Sequence, residues 1–165
     1  MDLKEKRFLT LVENHKGIIH KVGRIYMDTK EDREDLHQEI MIQLWKSYDS
    51  FKGESAFSSW MYRVAVNTAI SCFKKEKRHS DTHMYPVYNE PESKPYDNKP
   101  DKQLEVFYSA VQQLSAVEKA VVFYYMEGLS HREIGEQLGI SEGNARVKLN
   151  RTKEKLQNII KKLPL

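Results

Sequence analysis

Residues 128–156 read GLSHREIGEQLGISEGNARVKLNRTKEKL, and this stretch sets the architecture. Ser130 followed by Glu133 forms a capping box, each side chain satisfying an orphan backbone donor at a helix start, and Leu129 and Ile134 sit where a hydrophobic staple packs. The short helix turns Ile134 and Leu138 inward and stops at Gly139, suited to a left-handed turn residue. Ser141 then offers the N-cap of a second, longer helix. Two helices joined by a tight turn containing glycine make a helix-turn-helix, whose second helix enters the major groove of DNA. At about 100° per residue, Ala145, Leu149, Thr152, Leu156 and Ile159 share one face of that helix, which should pack on Ile134 and Leu138. The opposite face and its flanks carry Asn144, Val147, Lys148, Asn150 and Arg151, with Arg146 to one side. Arginine and lysine reach guanine edges or phosphates, and asparagine pairs with adenine. A solvated polar face is the ordinary alternative. Caps, staple, turn glycine and basic face in one register favour DNA.

Outward from this motif, the chain divides. Residues 79–103, HSDTHMYPVYNEPESKPYDNKPDKQ, hold four of the five prolines and carry 3 Lys/Arg against 5 Asp/Glu. Prolines four to five apart deny a helix its donors and bias each preceding residue to extended conformation. The segment has no aliphatic run to build a core, and about 25 residues is long for an ordered loop. It is expected to be a flexible, proline-rich acidic linker between two small helical domains, residues 1–78 and 104–165. Both flanks show helical spacing of apolar residues: Phe8 to Tyr26, Leu36 to Tyr48 and Met61 to Ala69 before the segment, Leu104 to Tyr125 after it. Strand-like alternation never runs beyond a few residues. The fold class is all-α.

Composition narrows the class. The chain has 165 residues, 31% charged, with a formal charge of +3. Its longest apolar run, Ala120 to Met126, is far short of the ~20 residues a spanning helix needs. A charged N-terminus and a single cysteine, Cys72, leave no signal peptide and no internal disulfide to infer and fit a reducing, cytoplasmic setting.

Two further segments bear on function. In EDREDLHQEIMIQLWKSYDSF, taken as the second helix of the first half, Asp32, Asp35 and Glu39 fall within about a 60° arc, with Gln38 to one side, while Leu36, Ile40, Leu44 and Trp45 spread across the other. An acidic stripe suits a basic protein partner, an ordinary solvated face being the alternative. In FKGESAFSSWMYRVAVNTAISCFKKEKR, a polar loop with Gly53 opens a helix beginning with Phe57, Trp60 and Tyr62, followed by Arg63, Asn67, Lys74, Lys75, Lys77 and Arg78. Rings to stack unpaired bases and cations to follow the backbone are what single-stranded nucleic acid requires. Plain core packing of Trp60 is equally open.

These strings resemble a known family. DREDLHQEIMIQLW, FKGESAFSSWMYRVAVNTAI and LSHREIGEQLGISEGNARVKLNR look like the second and fourth conserved regions of bacterial extracytoplasmic-function sigma factors, in the right order and across a linker of the expected length. The resemblance implies a transcription initiation factor, not an enzyme, that directs core RNA polymerase to promoters and helps melt them. Asp35, Gln38 and Glu39, with Asp32 beside them, match the acidic pattern that grips the coiled coil of the polymerase β′ subunit. The Lys52–Phe57 loop, including Gly53 and Ser55, matches the one that holds an extruded base of the minus-ten element, and Arg63, Asn67, Lys74 and Lys75, with Trp60, match the helix beside it. Arg146, Lys148, Asn150 and Arg151, with Ser141, Gly143, Asn144 and Val147 on the same helix, match the minus-thirty-five reader. Ala145 and Val147 stand where valine and serine are commoner, and Asn144 where threonine is. The implied partners are core polymerase, through its β′ coiled coil and β flap, promoter DNA, and the anti-sigma factor this subfamily usually has. The linker resembles the segment that threads the polymerase toward its RNA exit path.

His79 and His83, spaced i, i+4 near Cys72, are read as linker histidines, because a metal site needs an ordered frame and further ligands. No metal and no cofactor is expected. The competing function is a conventional helix-turn-helix regulator whose first half dimerises or binds an effector. A third reading is an adaptor that kept the helices and lost promoter recognition.

Overall fold

The computed structural model describes residues 1–82 and 101–163, with the side chains of 79–82 left out. Among these residues there is no strand. Eight α-helices run in chain order: α1 Leu3–Asn14, α2 Lys16–Tyr26, α3 Lys30–Ser47, α4 Phe57–Thr82, α5 Lys102–Val111, α6 Ala116–Met126, α7 His131–Leu138 and α8 Glu142–Lys162, with a 3-10 turn Tyr48–Ser50 closing α3. Among the described residues they form two compact units, divided between Lys74 and Lys75.

In the first unit the apolar spacing between Phe8 and Tyr26 is carried by two helices. The chain breaks at His15 (φ −123°, ψ 15°), whose Nδ1 lies 2.8 Å from the Leu11 carbonyl oxygen. The acidic helix is therefore α3, the third of this half. Asp2 and Glu5 form a capping box on α1, and Thr29 caps α3 by accepting from the Asp32 N–H at 3.1 Å. The core joins Phe8, Val12, Ile19, Val22, Ile25 and Tyr26 to Leu36, Ile40 and Leu44 of α3 and Met61, Ala65 and Ala69 of α4. At the α2–α3 corner, Arg33 donates through Nε to the Met27 carbonyl at 3.1 Å and through Nη2 to that of Asp28 at 2.9 Å. Those bonds serve carbonyls left over as α2 ends.

The second unit packs α5, α6 and α7 on α8. Capping boxes start α6 (Ser115 with Glu118) and α7 (Ser130 with Glu133). The core is Val111, Leu114, Ala120, Val121, Phe123, Tyr124, Ile134, Ala145, Leu149 and Leu156. Lys119 is fully buried within it, its ammonium donating to Gln112 Oε1 at 3.2 Å. On α6 the outward residues are Tyr125 and Met126, so the run from Ala120 to Tyr124 is buried and its continuation is solvated.

The edges of the proline-rich segment are shorter than the sequence suggests. Helix α4 continues through residues 79–82, which the linker reading had excluded; no glycine or proline interrupts the chain before Pro86, so the helix propagates. His79 accordingly lies in the last turn of α4. At the other edge, Lys102 and Gln103 belong to α5, because Asp101 caps it by accepting from the Gln103 N–H at 3.0 Å. The remainder of the linker, with His83, lies outside the described residues.

Candidate polymerase and promoter surfaces

The helix-turn-helix follows from a handful of local bonds. The Ser130 hydroxyl accepts from the Glu133 N–H at 3.1 Å and the Glu133 carboxylate accepts from the Ser130 N–H at 2.7 Å. Gly139 ends α7 in the left-handed region (φ 69°, ψ 32°), and Ser141 caps α8 by accepting from the Asn144 N–H at 3.1 Å. Ala145, Leu149, Thr152 and Leu156 are buried as expected, and Ile159 and Leu138 are half-buried. A residue the sequence reading passed over completes the turn. Gly135 is buried, and a Cβ there would stand 2.7 Å from the carbonyl oxygen of Ile140. The Ile140 N–H also bonds the Gly135 carbonyl at 2.9 Å. A lone glycine four residues before Gly139 was the available signal, since an internal helix glycine usually marks close backbone approach.

Packing one stripe of α8 leaves the rest of the helix to solvent. Ser141, Gly143, Asn144, Arg146, Val147, Lys148, Asn150 and Arg151 are all exposed. Arg146 is engaged on this surface, with Nη2 3.6 Å from Glu142 Oε1 and Nε donating to His131 Nδ1 at 3.4 Å. Behind it, Lys155 bonds Glu118 at 2.9 Å. Burial works against the Glu118 charge, but the Ser115 N–H and the Lys155 ammonium outweigh it and hold the carboxyl below the ordinary glutamate range.

In the first unit the candidate residues fall on two surfaces. On α3, Asp35 and Gln38 are exposed and Asp32 and Glu39 half-buried. Glu39 accepts through Oε1 from Gln43 Nε2 at 2.9 Å. Two apolar residues continue this face, Ile42 (46% exposed) and Trp45 (38% exposed). Trp45 was expected on the packed side. It rests edge-on against Phe8 with centroids 5.0 Å apart, under the Lys4 ammonium at 4.9 Å. Lys4 in turn bonds Asp49 at 2.8 Å, and that hydrogen bond raises its pKa.

On α4, Trp60, Arg63, Asn67 and Lys74 fall within about a 60° arc at 100° per residue, with Lys75 farther round. Arg63, Asn67, Lys74 and Lys75 are exposed. Lys52, Gly53 and Ser55 form an exposed loop in front of this helix, and Gly53 takes φ +74°, which a side chain would resist. Phe57 departs from the expectation of a DNA-facing loop residue. It is 8% exposed, packed against Phe51, Trp60 and His15 with centroids 5.2 to 5.5 Å apart. As the first residue of α4, it points into the unit and anchors the loop. Trp60 is half-buried between Phe51, Phe57 and Tyr48, one part packed and one part outward.

Residues 11–79 match the model of sigma-70 region 2 and residues 104–156 that of sigma-70 region 4. The chain belongs to the sigma-70 family. Its relatives place it among the extracytoplasmic-function (ECF) sigma factors. It is 28% identical to the ECF RNA polymerase sigma-E factor of Haemophilus influenzae, over 96% of this chain and 90% of that one. It is 26% identical to the ECF RNA polymerase sigma factor SigM of Mycobacterium tuberculosis, over 93% and 76%. A solved structure of similar fold is the sigma factor RpoE of Bartonella quintana in complex with the anti-sigma factor NepR, with a TM-score of 0.68 at 19% identity, over 97% of this chain and 98% of that one. Another is CnrH in complex with the cytosolic domain of CnrY, with a TM-score of 0.65 at 17% identity, over 95% and 89%. The sigma factor described here is thus a transcription initiation factor, with core RNA polymerase and promoter DNA as its partners. Among the described residues no helix is long and apolar enough to cross a membrane.

Proposed function

We propose that the three surfaces divide the work of initiation. The acidic face of α3, Asp32, Asp35, Gln38 and Glu39, docks the basic coiled coil of the polymerase β′ subunit, while the β flap engages the second unit. The Lys52–Ser55 loop and the α4 arc of Trp60, Arg63, Asn67, Lys74 and Lys75 hold the melted minus-ten element, with Phe57 as the buried anchor of the loop. The exposed face of α8, from Ser141 to Arg151, reads the minus-thirty-five element in duplex. The helices up to α4 and those from α5 onward are the two working domains, and the chain between α4 and α5 connects them. The factor acts in the cytoplasm without catalytic groups of its own. It is held in reserve by an anti-sigma factor, a reading supported by the similar sigma factor RpoE, whose solved structure is a complex with the anti-sigma factor NepR.

The observation that carries this reading is the separation of charge within the first unit. Asp35 and Gln38 are exposed on α3, whereas Arg63, Asn67 and Lys74 are exposed on α4. A conventional regulator needs no acidic helix beside a cationic one with clustered rings, since an acidic face repels DNA and attracts a basic protein. The test is run-off transcription with reconstituted core polymerase. Asp35→Arg with Glu39→Arg is expected to abolish co-purification with core while helix content is unchanged, because Asp35 is exposed and Glu39 reaches solvent. Full retention of core binding would remove the α3 face from the mechanism.

A further inference from the structure

Arg146 is held from two sides. Glu142, one turn back on the same helix, meets its Nη2 at 3.6 Å, and His131, from the other helix of the motif, accepts from its Nε at 3.4 Å. Two of the three guanidinium nitrogens thereby face partners within the motif, and Nη1 carries two further donors. The atom of His131 that faces the guanidinium is Nδ1, a ring nitrogen that can accept. Its mount is firm: His131 is the first residue of α7, directly after the cap that Ser130 and Glu133 make by two reciprocal bonds.

We propose that His131 is a positioning residue for promoter recognition. It touches no base in this role; it fixes the guanidinium of Arg146 over the N-terminal half of α8, the part of a recognition helix that faces base edges. The inference rests on the reading of α8 as the upstream-element helix. An exposed ion pair such as Arg146–Glu142 restrains a long side chain weakly on its own. A second contact from a separate, capped helix removes rotamers before DNA arrives, so less ordering is left to do on binding and the guanidinium meets one base pair rather than several. A residue on the helix outside the groove would in this way set the base preference of a residue inside it.

The test is selection of upstream sequences by reconstituted holoenzyme from promoters randomised across the minus-thirty-five element. Arg146→Ala is expected to flatten the preference at one or two base pairs by roughly tenfold, the scale of one base contact. His131→Ala should flatten the same positions, and the double variant should lose no more than Arg146→Ala alone, as coupled residues do. His131→Gln, whose amide oxygen can accept from Arg146, should restore the preference, whereas His131→Phe, similar in shape but without an acceptor, should not. Thermal unfolding should be the same for the Gln and Phe variants, which separates positioning from folding. The proposal is overturned if His131→Ala keeps the wild-type preference, if Phe restores it as well as Gln, or if the two losses add in full. Arg151→Ala separates the levels. If Arg146→Ala and Arg151→Ala both leave selection unchanged, the reading of α8 falls and this proposal with it; if Arg151→Ala alters selection and His131→Ala does not, the proposal alone falls.

Discussion

The two DNA-facing candidates of this sigma factor are built in opposite ways. The α7–α8 motif is assembled from bonds between residues three to five apart: Ser130 with Glu133, Ser141 with Asn144, and Ile140 with Gly135. The surface of loop and α4 is assembled at long range. Phe57 meets His15 and Phe51, and Trp60 meets Tyr48, so helices α1 and α4 and the turn after α3 must already be in place. A short-range motif presents its side chains once its two helices form. A long-range one presents them only while a whole domain is intact. Substitutions should therefore affect function through different routes in the two units, and the distribution of tryptophan lets the routes be separated. Trp45 and Trp60, the only two in the chain, both lie in the first unit, so tryptophan fluorescence reports that unit and far-UV circular dichroism reports both.

The largest effect is expected from Phe57→Ala. Truncating a phenylalanine that is 8% exposed removes transfer energy and leaves a cavity, together about 3–5 kcal/mol. The tryptophan-reported denaturation midpoint should fall steeply, and minus-ten activity should go with it. If the midpoint were unchanged while promoter opening was lost, Phe57 would be a DNA contact after all and the buried cluster would not describe the working state. Gly135→Ala is the counterpart in the second unit. Its methyl would stand 2.7 Å from a backbone oxygen that cannot rotate away, so the α7–α8 turn must open at a cost of about 1–3 kcal/mol. Circular dichroism should show an earlier loss of helix while the tryptophan midpoint is unmoved.

The same contrast explains what the sequence made legible. Both helix caps of the recognition motif, the left-handed Gly139 and the packed stripe Ala145–Leu149–Thr152–Leu156 could be placed in advance, because each depends on spacing within one or two turns. The side of Trp45 and the burial of Phe57 could not. Spacing puts Trp45 near Leu44 on α3, but Lys4 and Phe8 of α1 decide how much of its ring is covered. Phe57 is legible as the start of α4, but His15 and Phe51, both outside that helix, decide that its ring packs inward. The break at His15 was equally hidden, since an apolar period continues across it and no proline or glycine occupies the break itself. Arg33, which closes the α2–α3 corner, looks in sequence like one more charge in an acidic run.

At intermediate size, the comparison becomes one of function. Arg151→Ala should weaken recognition of the duplex upstream element by about 1–3 kcal/mol if the guanidinium meets a guanine edge, and leave opening unimpaired once a complex is tethered. Asn67→Ala should do the reverse: upstream binding survives, and permanganate reactivity of the minus-ten thymines falls. A pre-melted downstream bubble should partly rescue Asn67→Ala and leave the Arg151→Ala defect as it is, because unstacking is the cost that the α4 surface is proposed to offset. Equal loss of binding and opening in both variants, with no rescue by the bubble, would collapse the two surfaces into one and favour a single-site duplex-binding regulator.

The smallest expected effects are in acid, where the two units should soften at different pH. In the first unit, burial and the neighbouring His20 ring, 5.6 Å away, lower the pKa of His37 below the ordinary histidine value. The unfolded chain then takes up a proton that the folded one resists, so stability falls as pH drops from about 6.5. In the second unit, the Glu118 carboxyl is held below its ordinary range despite its partial burial, by the Ser115 N–H and Lys155. Its contribution is fully present above about pH 4.3 and is lost as pH falls through the folded-state value. Each step should be under about 1 kcal/mol, because both groups keep water around them. Denaturant midpoints at pH 7.5, 5.5 and 3.5 would resolve them when read as differences between variants, which cancels the carboxylates common to both. His37→Gln should reduce the loss of tryptophan-reported stability between pH 7.5 and 5.5 and leave the second unit as it was. Glu118→Gln should lower second-unit stability at pH 7.5 and make it less sensitive to the fall to pH 3.5. If either substitution changed the acid response of the other unit, the two would not be energetically separate, and a surface built at long range in one could then draw on the packing of the other.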